Sequence, residues 1–203
     1  KGNSDGALIY ADNSAFRCAI FDLENGTTGP FHSTFSKTSI EDFGNGWYRC
    51  SVTTTGISGA NVGFGICEKE ETNTTSIRPP TNVYNYIWGT QVELGSTLTN
   101  YIPSTDTFTS RLGNATYVDS NGLIKNSVVN LFPRSQPTTA TQWDNVGGAV
   151  GFTGNYAIAP DGTQTAGRLT MPNAGFTYFR KTIPVVAGKT YTFSVFLKSN
   201  SSS

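Results

Sequence analysis

The side chains of this chain that could do chemistry are few and scattered. Its carboxylates come nearest to a cluster at Glu68, Glu70 and Glu71, where Lys69 stands among them in a polar stretch. That is the pattern of a solvated, charged loop. Glycoside hydrolysis needs two carboxyl groups at a defined separation, one as acid and one as base or nucleophile. Asp22, Glu41, Asp42 and Glu93 are dispersed, and no spacing nominates such a pair. The single histidine, His32, lies in a Pro/Phe turn with no Gly-x-Ser-x-Gly elbow beside it, so no nucleophilic triad is indicated. Asp119-Ser120-Asn121-Gly122 has the opening of a calcium loop but lacks the downstream bidentate glutamate, and it reads as a hairpin turn. The sequence therefore predicts no catalytic residues, no metal ligands and no cofactor: the protein is read as not an enzyme.

The three cysteines, Cys18, Cys50 and Cys67, are odd in number and widely spaced, which is not a disulfide framework. Cys18 and Cys50 fall within alternating strand patterns, where cysteine serves as a small hydrophobe. Buried free thiols are the favoured reading over a Cys18–Cys67 or Cys50–Cys67 bridge.

Binding chemistry has better material. A sugar site needs an aromatic platform and a few fixed polar groups, the first for apolar contact and the second to orient hydroxyls. Aromatic residues make up 12% of the chain, enough to supply one. Three residues are the candidates for ligand binding: Trp143, Tyr84 and Tyr86. Trp143 lies in the polar run Thr141-Gln142-Trp143-Asp144-Asn145, which places it near a surface, with core or interface packing as the competing reading. Tyr84 and Tyr86 flank Asn85, so both face one side of a strand. An open face would make them a platform, and a covered one would make them core. Trp47 and Trp88 are assigned to packing.

The elements that must position these residues are strands. Residues 8–11 and 16–23 are apolar runs separated by a turn, and residues 47–54 alternate with period two. Further strand patterns cover 61–69, 84–93, 148–153, 168–171, 176–183 and 189–198. Gly63 and Gly65 fall on one face of the 61–69 strand, where a neighbouring backbone would approach closely. A short hairpin is expected around 115–125, and no amphipathic helix is found. Hydrophobic residues are 36% and charged residues 14% of the 203 residues, with 22 glycines. Many short strands of this composition predict an all-β fold, an antiparallel β-sandwich of jelly-roll type. The 14 basic and 14 acidic residues cancel and form no run, which argues against a nucleic acid partner. No apolar stretch approaches the 18 residues of a transmembrane helix, so membrane insertion is not expected.

The order of the motifs is the most informative part of the sequence. Gly46-Trp47-Tyr48-Arg49-Cys50-Ser51-Val52, Tyr86-Ile87-Trp88-Gly89-Thr90-Gln91-Val92-Glu93 and Asn100-Tyr101-Ile102-Pro103 read as the close of a sandwich module. Asn130-Leu131-Phe132, Ala159-Pro160-Asp161-Gly162-Thr163 and residues 187–195 read as an opening. Together these motifs resemble the carbohydrate-binding-module-like, concanavalin-A-like (lectin-like) β-sandwich repeats of tail fibre and capsid fibre proteins of tailed bacteriophages. Here they stand in permuted or mid-repeat order. Residues 1–106 are the closing part of a module, 107–128 a spacer with a β-hairpin, and 129–203 the opening part of the next or the same module. Joined end to start, 198–200 and 5–6 would form one polar hairpin loop, as a cut inside a repeat would leave. That cut points to a tandem array.

The resemblance implies a non-enzymatic structural module of a virion fibre or decoration protein, in a virion or extracellular setting, with cell-surface glycans as ligand. Its implied partners are neighbouring copies, as a homo-oligomer. The alternative is a repeat of an extracellular filament or adhesin, assembled by sandwich completion between copies. A carbohydrate-active enzyme ranks below both.

Overall fold

The computed structural model of the chain describes residues 6–12, 17–55, 61–77, 83–104, 116–118, 121–126, 129–136, 138–146, 151–171 and 178–200. Two six-stranded antiparallel sheets pack face to face as a β-sandwich. The head of the chain supplies β1 (Gly6–Asp12), β2 (Cys18–Asp22), β3 (Thr27–Phe31), β4 (Phe35–Asp42), β5 (Trp47–Thr55), β6 (Asn61–Cys67) and β7 (Val83–Leu94). A small hairpin, β8 (Thr116–Val118) with β9 (Ile124–Asn126), follows. The tail supplies β10 (Asp144–Val146), β11 (Gly151–Ala157), β12 (Ala166–Met171), β13 (Tyr178–Thr182) and β14 (Thr190–Ser199). One sheet has the order β10-β13-β6-β1-β2-β3, which we call the first sheet; the second has the order β11-β12-β7-β14-β5-β4.

Head and tail strands therefore share both sheets, side by side in the first and interleaved in the second. β14 lies between β5 and β7, with Phe193 opposite Val52 on one side and Val92 on the other. The strand 190–197 thus pairs within its own chain, and the sandwich closes without a neighbouring copy. The expected hairpin between 198 and 6 is not formed, because β14 and β1 belong to opposite sheets. The two ends nevertheless meet. Asn85 is the register partner of Ser199, and its side-chain amide donates to the Gly6 carbonyl across the sandwich at 3.4 Å. A connection there would be an arch from sheet to sheet.

The opening and closing motifs also come together. Asn130 Oδ1 accepts from the Val92 and Phe132 amides, both at 3.0 Å, and its Nδ2 donates to Thr90 O (3.1 Å) and Ile102 O (2.9 Å). The Ser104 hydroxyl donates to Phe132 O at 2.6 Å. Four satisfied bonds on one buried asparagine lock two strand-like segments onto β7, since leaving any of these groups unpaired costs about 1–3 kcal/mol.

The core lies between the sheets. Ile9, Phe21, Phe64, Phe179, Val52, Ile87, Leu169 and Val195 are among its fully covered side chains. Burial of each large apolar side chain contributes about 1.5–3 kcal/mol. β1 is covered on both faces. Ala7, Ile9 and Ala11 face the core, while Leu8 and Tyr10 join Cys18, Ile20, Cys67 and Ile77 in a second cluster on the far side of the first sheet. That is why β1 reads as a continuous apolar run rather than an alternation. Gly63 admits a neighbouring backbone, as its position predicted: a Cβ there would lie 2.0 Å from Phe179 O.

Among the described glycines, Gly89 has the largest consequence. The β7–β14 register shifts between Ser194 and Phe196, so β7 carries a bulge at Gly89, whose φ is 61°. A Cβ there would stand 2.7 Å from the Phe196 ring. The bulge changes the phase of the strand. Tyr84, Tyr86 and Trp88 face outward before it; Gln91 and Glu93 face outward after it, and Val92 turns to the core.

Two outcomes follow from this fold. A circular permutant that joins residue 200 to residue 6 by a short polar loop and opens the chain between 104 and 116 will fold to the same sandwich, its denaturation midpoint little changed; loss of cooperative unfolding would show that closure needs the 104–116 link. Gly89→Ala will cost about 2–4 kcal/mol in chemical denaturation, from the positive φ and the ring contact together.

Candidate functional site

The outer face of the second sheet is divided in two. One part is roofed. Trp47, Trp88 and Phe196 form a buried cluster with Ala159 and Ala166, and Tyr101 packs on Trp88 with ring centroids 4.3 Å apart. The Trp47 indole donates to Ile158 O at 3.2 Å and the Trp88 indole to Thr165 Oγ1 at 2.9 Å. Both tryptophans are packing residues, as assigned, but they are buried beneath segments 99–104 and 157–165 rather than between the sheets.

Beyond the bulge the same roof covers a polar network. Arg49 and Glu93 are both buried. Arg49 Nη1 donates to Thr99 O at 2.7 Å and Nη2 to Ser194 Oγ at 3.3 Å, and its guanidinium lies 5.3 Å from the Phe196 ring centre. The Thr99 hydroxyl and amide both donate to the Glu93 carboxylate. Burial pulls the Arg49 pKa below its ordinary range, and the charges of Glu93 and Glu41 oppose that shift. Buried charges are tolerated only when paired and hydrogen-bonded. Here Thr99, bonded to both, fastens segment 99–104 to the sheet.

The other part of the face is open. Tyr84 and Tyr86 of β7 meet Tyr156 of β11 and Arg168 of β12. Tyr86 and Tyr156 stack with centroids 6.1 Å apart and planes at 21°, while Tyr84 meets Tyr86 edge-on at 5.7 Å. Arg168 is the register partner of Tyr86 and lies 4.1 Å from the Tyr156 ring centre and 5.5 Å from that of Tyr84. Its Nη1 donates to the Tyr156 hydroxyl at 2.9 Å. Tyr156 is 43% exposed, and the other three are half-buried. Burial and the neighbouring Tyr84 raise the Tyr86 phenol pKa, so it stays neutral and able to donate. Lys198, opposite Tyr86 on β14, is held by Asn45 O at 2.6 Å at the margin of the patch.

Local sequence explains how Tyr156 arrives there. The β11–β12 register shifts between Thr153 and Ala157, and Asn155 takes φ 52°. The irregular turn brings Tyr156 over β7 and leaves Asn155 O to accept from Gln164 Nε2 at 3.3 Å. An arginine held between two tyrosines, with phenol hydroxyls at the rim, offers flat apolar area and oriented donors.

The structure brings Tyr84 and Tyr86 together, but it removes Trp143 from this site. Trp143 is 4% exposed and packs between Phe64 (4.7 Å) and Phe132 (4.8 Å) in the core, so its place near a surface is corrected. The polar residues around it face out from a one-turn 3-10 helix (Ala140–Gln142) while the indole points in. Tyr156 and Arg168 were missed. A Gly-Asn pair inside the β11 pattern is the one sequence signal of the bulge, and nothing local reveals that β12 pairs with β7.

The other chemical candidates sit in structural roles. Lys69 pairs with Glu24 and lies 3.8 Å from Glu70, while Glu71 accepts from the Thr72 and Asn73 amides at 2.9 and 2.8 Å. His32 Nδ1 is 3.1 Å from the Thr34 hydroxyl and 3.2 Å from its amide. Asp119 and Ser120 lie outside the described residues, and the strands flanking them pair as a hairpin. Among the described residues no group of three or more histidine, cysteine or acidic side chains is placed to hold a metal. No family model, curated protein or solved structure matches this chain.

All three cysteines are buried free thiols, as the sequence favoured. Cys18 and Cys67 flank β1 on opposite sides, opposite Tyr10 and Gly6, too far apart for a disulfide. Burial pushes the Cys18 thiol from 9.0 up to about 12, and burial with the nearby Tyr178 pushes the Tyr10 phenol from 10.0 up to about 12. Both groups are neutral in the fold and ionise more readily once unfolded. Their contribution is fully present below pH 9 and is lost as pH rises toward 12. The denaturation midpoint will therefore be lower at pH 11 than at pH 8. At pH 8 a thiol reagent will leave the native protein unmodified and label three thiols after unfolding; rapid labelling of the native protein would contradict this burial.

Proposed function

We propose that this protein is a non-enzymatic β-sandwich module that binds glycans through the outer face of its second sheet, as part of a virion fibre or decoration protein. The observation that carries the reading is the open patch of Tyr84, Tyr86, Tyr156 and Arg168 on a rigid sheet. Sugar rings present flat C–H faces that stack on aromatic planes, and Tyr and Arg supply hydrogen bonds at the rim. The patch is preformed: Arg168 is held by the Tyr156 hydroxyl and both rings. Little side-chain order remains to be lost on binding.

The virion setting is supported by the motifs Gly46–Val52, Tyr86–Ser96 and Asn100–Pro103 and their resemblance to phage fibre repeats. The carboxylates support a binding role over a hydrolytic one. Asp22, Asp42, Glu71 and Asp161 each accept backbone amides in tight turns, and Glu93 is enclosed with Thr99 and Arg49.

A glycan array with a parallel hydrolysis assay tests the proposal. The expected result is binding of a subset of neutral oligosaccharides without turnover. Tyr156→Ala should weaken that binding about tenfold, or about 1.4 kcal/mol, with little change in unfolding. Release of reducing sugar would overturn the non-enzymatic reading. Absence of binding across the array, or binding indifferent to Tyr156→Ala, would overturn the glycan site.

A further inference from the structure

Beneath the roof of the second sheet lie three side chains whose chemistry the glycan reading does not use. Gln91 and Glu93 stand two residues apart on β7, so both project to the same face, and both are fully buried. Thr99 of the covering segment reaches down to them. Its hydroxyl donates to the Glu93 carboxylate and accepts from Gln91 Nε2 at 3.4 Å.

These contacts supply the parts of an acyl transfer. A hydroxyl bonded to a carboxylate is a nucleophile paired with its general base. The Asn100 carbonyl also lies 3.1 Å from the hydroxyl, but the charged carboxylate is the stronger acceptor. The carbonyl end of the Gln91 amide is polarised: Oε1 accepts from the Ile102 amide at 2.7 Å, the place of an oxyanion donor. The nitrogen end donates to Asn100 O at 3.3 Å, which fixes the orientation of the amide. Gln91 Cδ is one bond away from the nitrogen that Thr99 already touches. Arg49 Nη1 donates to Thr99 O at 2.7 Å and holds that residue in place. Well-oriented intramolecular reactions reach effective concentrations of about 10⁵–10⁸ M, which is what a poor electrophile such as an amide requires.

We propose that Thr99 and Gln91 become joined by an ester within the folded chain. Glu93 takes the hydroxyl proton as Thr99 Oγ1 bonds to Gln91 Cδ, and the carbonyl electron pair moves onto Oε1, beside the Ile102 N–H. The carbonyl then re-forms, the Cδ–Nε2 bond breaks, and Glu93 returns its proton to the departing nitrogen. One hydroxyl and one carboxamide give one ester and one ammonia, with no oxidant or other co-reactant. The carboxylate is regenerated but the pair is consumed, so the reaction occurs once per chain and turns over no foreign substrate. Burial also protects the product, because an ester lasts only where water is kept from it. The bond ties segment 99–104 covalently to β7, and it is independent of whether the tyrosine patch binds glycans.

The intact mass of the folded protein, held at neutral pH until that mass is constant, tests the proposal. The expected value falls short of the sequence mass by one ammonia. After denaturation and cleavage behind Glu93 by a glutamate-specific protease, the fragments bearing residues 91 and 99 should remain joined, and mild alkali should separate them. Thr99→Ser should keep the deficit and Thr99→Ala abolish it. Glu93→Gln should slow its appearance about a hundredfold or more, with circular dichroism to verify that the variant folds. The mass of the unsubstituted protein decides the question even where that variant does not fold. A constant mass equal to that of the sequence would overturn the ester. So would a deficit that survives Thr99→Ala, or one that maps to an Asn-Gly pair such as Asn45-Gly46, where succinimide formation also releases ammonia.

Discussion

The insertion of β14 between β5 and β7 is the constraint on which the rest of the molecule depends. It supplies hydrogen bonds on both sides along ten residues, and it places Phe193, Val195 and Leu197 in the core while Thr192, Ser194 and Phe196 face outward. Without it the second sheet would be two separate pieces, and the first sheet would have half a partner. The bulge at Gly89 belongs to the same constraint. β14 runs without interruption along a strand that must change phase, because its outward residues include both Phe196, which needs aromatic neighbours, and Ser194, which needs Arg49. One additional residue in β7 satisfies both.

That phase change separates two kinds of surface on a single sheet. On one side of it, Tyr84 and Tyr86 project with Trp88, and the neighbouring β12 and β11 contribute Arg168 and Tyr156. On the other, Gln91 and Glu93 project toward Arg49 and are sealed by segment 99–104, with Ile102 N donating to Gln91 Oε1 at 2.7 Å. A carboxylate left open beside the tyrosines would have offered general acid or base chemistry. The fold instead encloses its one outward-facing β7 carboxylate and uses others to finish turns, and the open part of this face presents tyrosine rings and the Arg168 guanidinium.

Much of the fold was legible because interior strands carry a strong signal. β5, β7 and β14 alternate or run apolar, and β1 and β6 are apolar on both faces because both faces are covered. β3 and β4 were not legible. β3 reads Thr-Thr-Gly-Pro-Phe and β4 is largely Ser, Lys, Thr, Glu and Asp. Both are edge strands, where proline and charge guard against pairing with other chains and erase the alternation that identifies a strand. At the candidate site, the spacing of Tyr84 and Tyr86 was sufficient to place them on one face, because a period of two is local information. Tyr156 and Arg168 depend on which strands become neighbours, and Trp143 on which way a single helical turn faces. Neither is written within a few residues of the position concerned.

The place of β14 also sets an order of events in synthesis. β5 and β7 leave the ribosome well before β14, and until residue 199 has emerged each presents an unpaired inner edge to the cell. The contacts that close the second sheet span up to about 150 residues of sequence, such as Trp47 with Lys198. Loop closure over such distances slows folding, and open strand edges invite aggregation in the interval. Assembly of this sandwich is therefore a late and nearly all-or-none step, and the nascent head is the species that chaperones or a companion chain would have to protect.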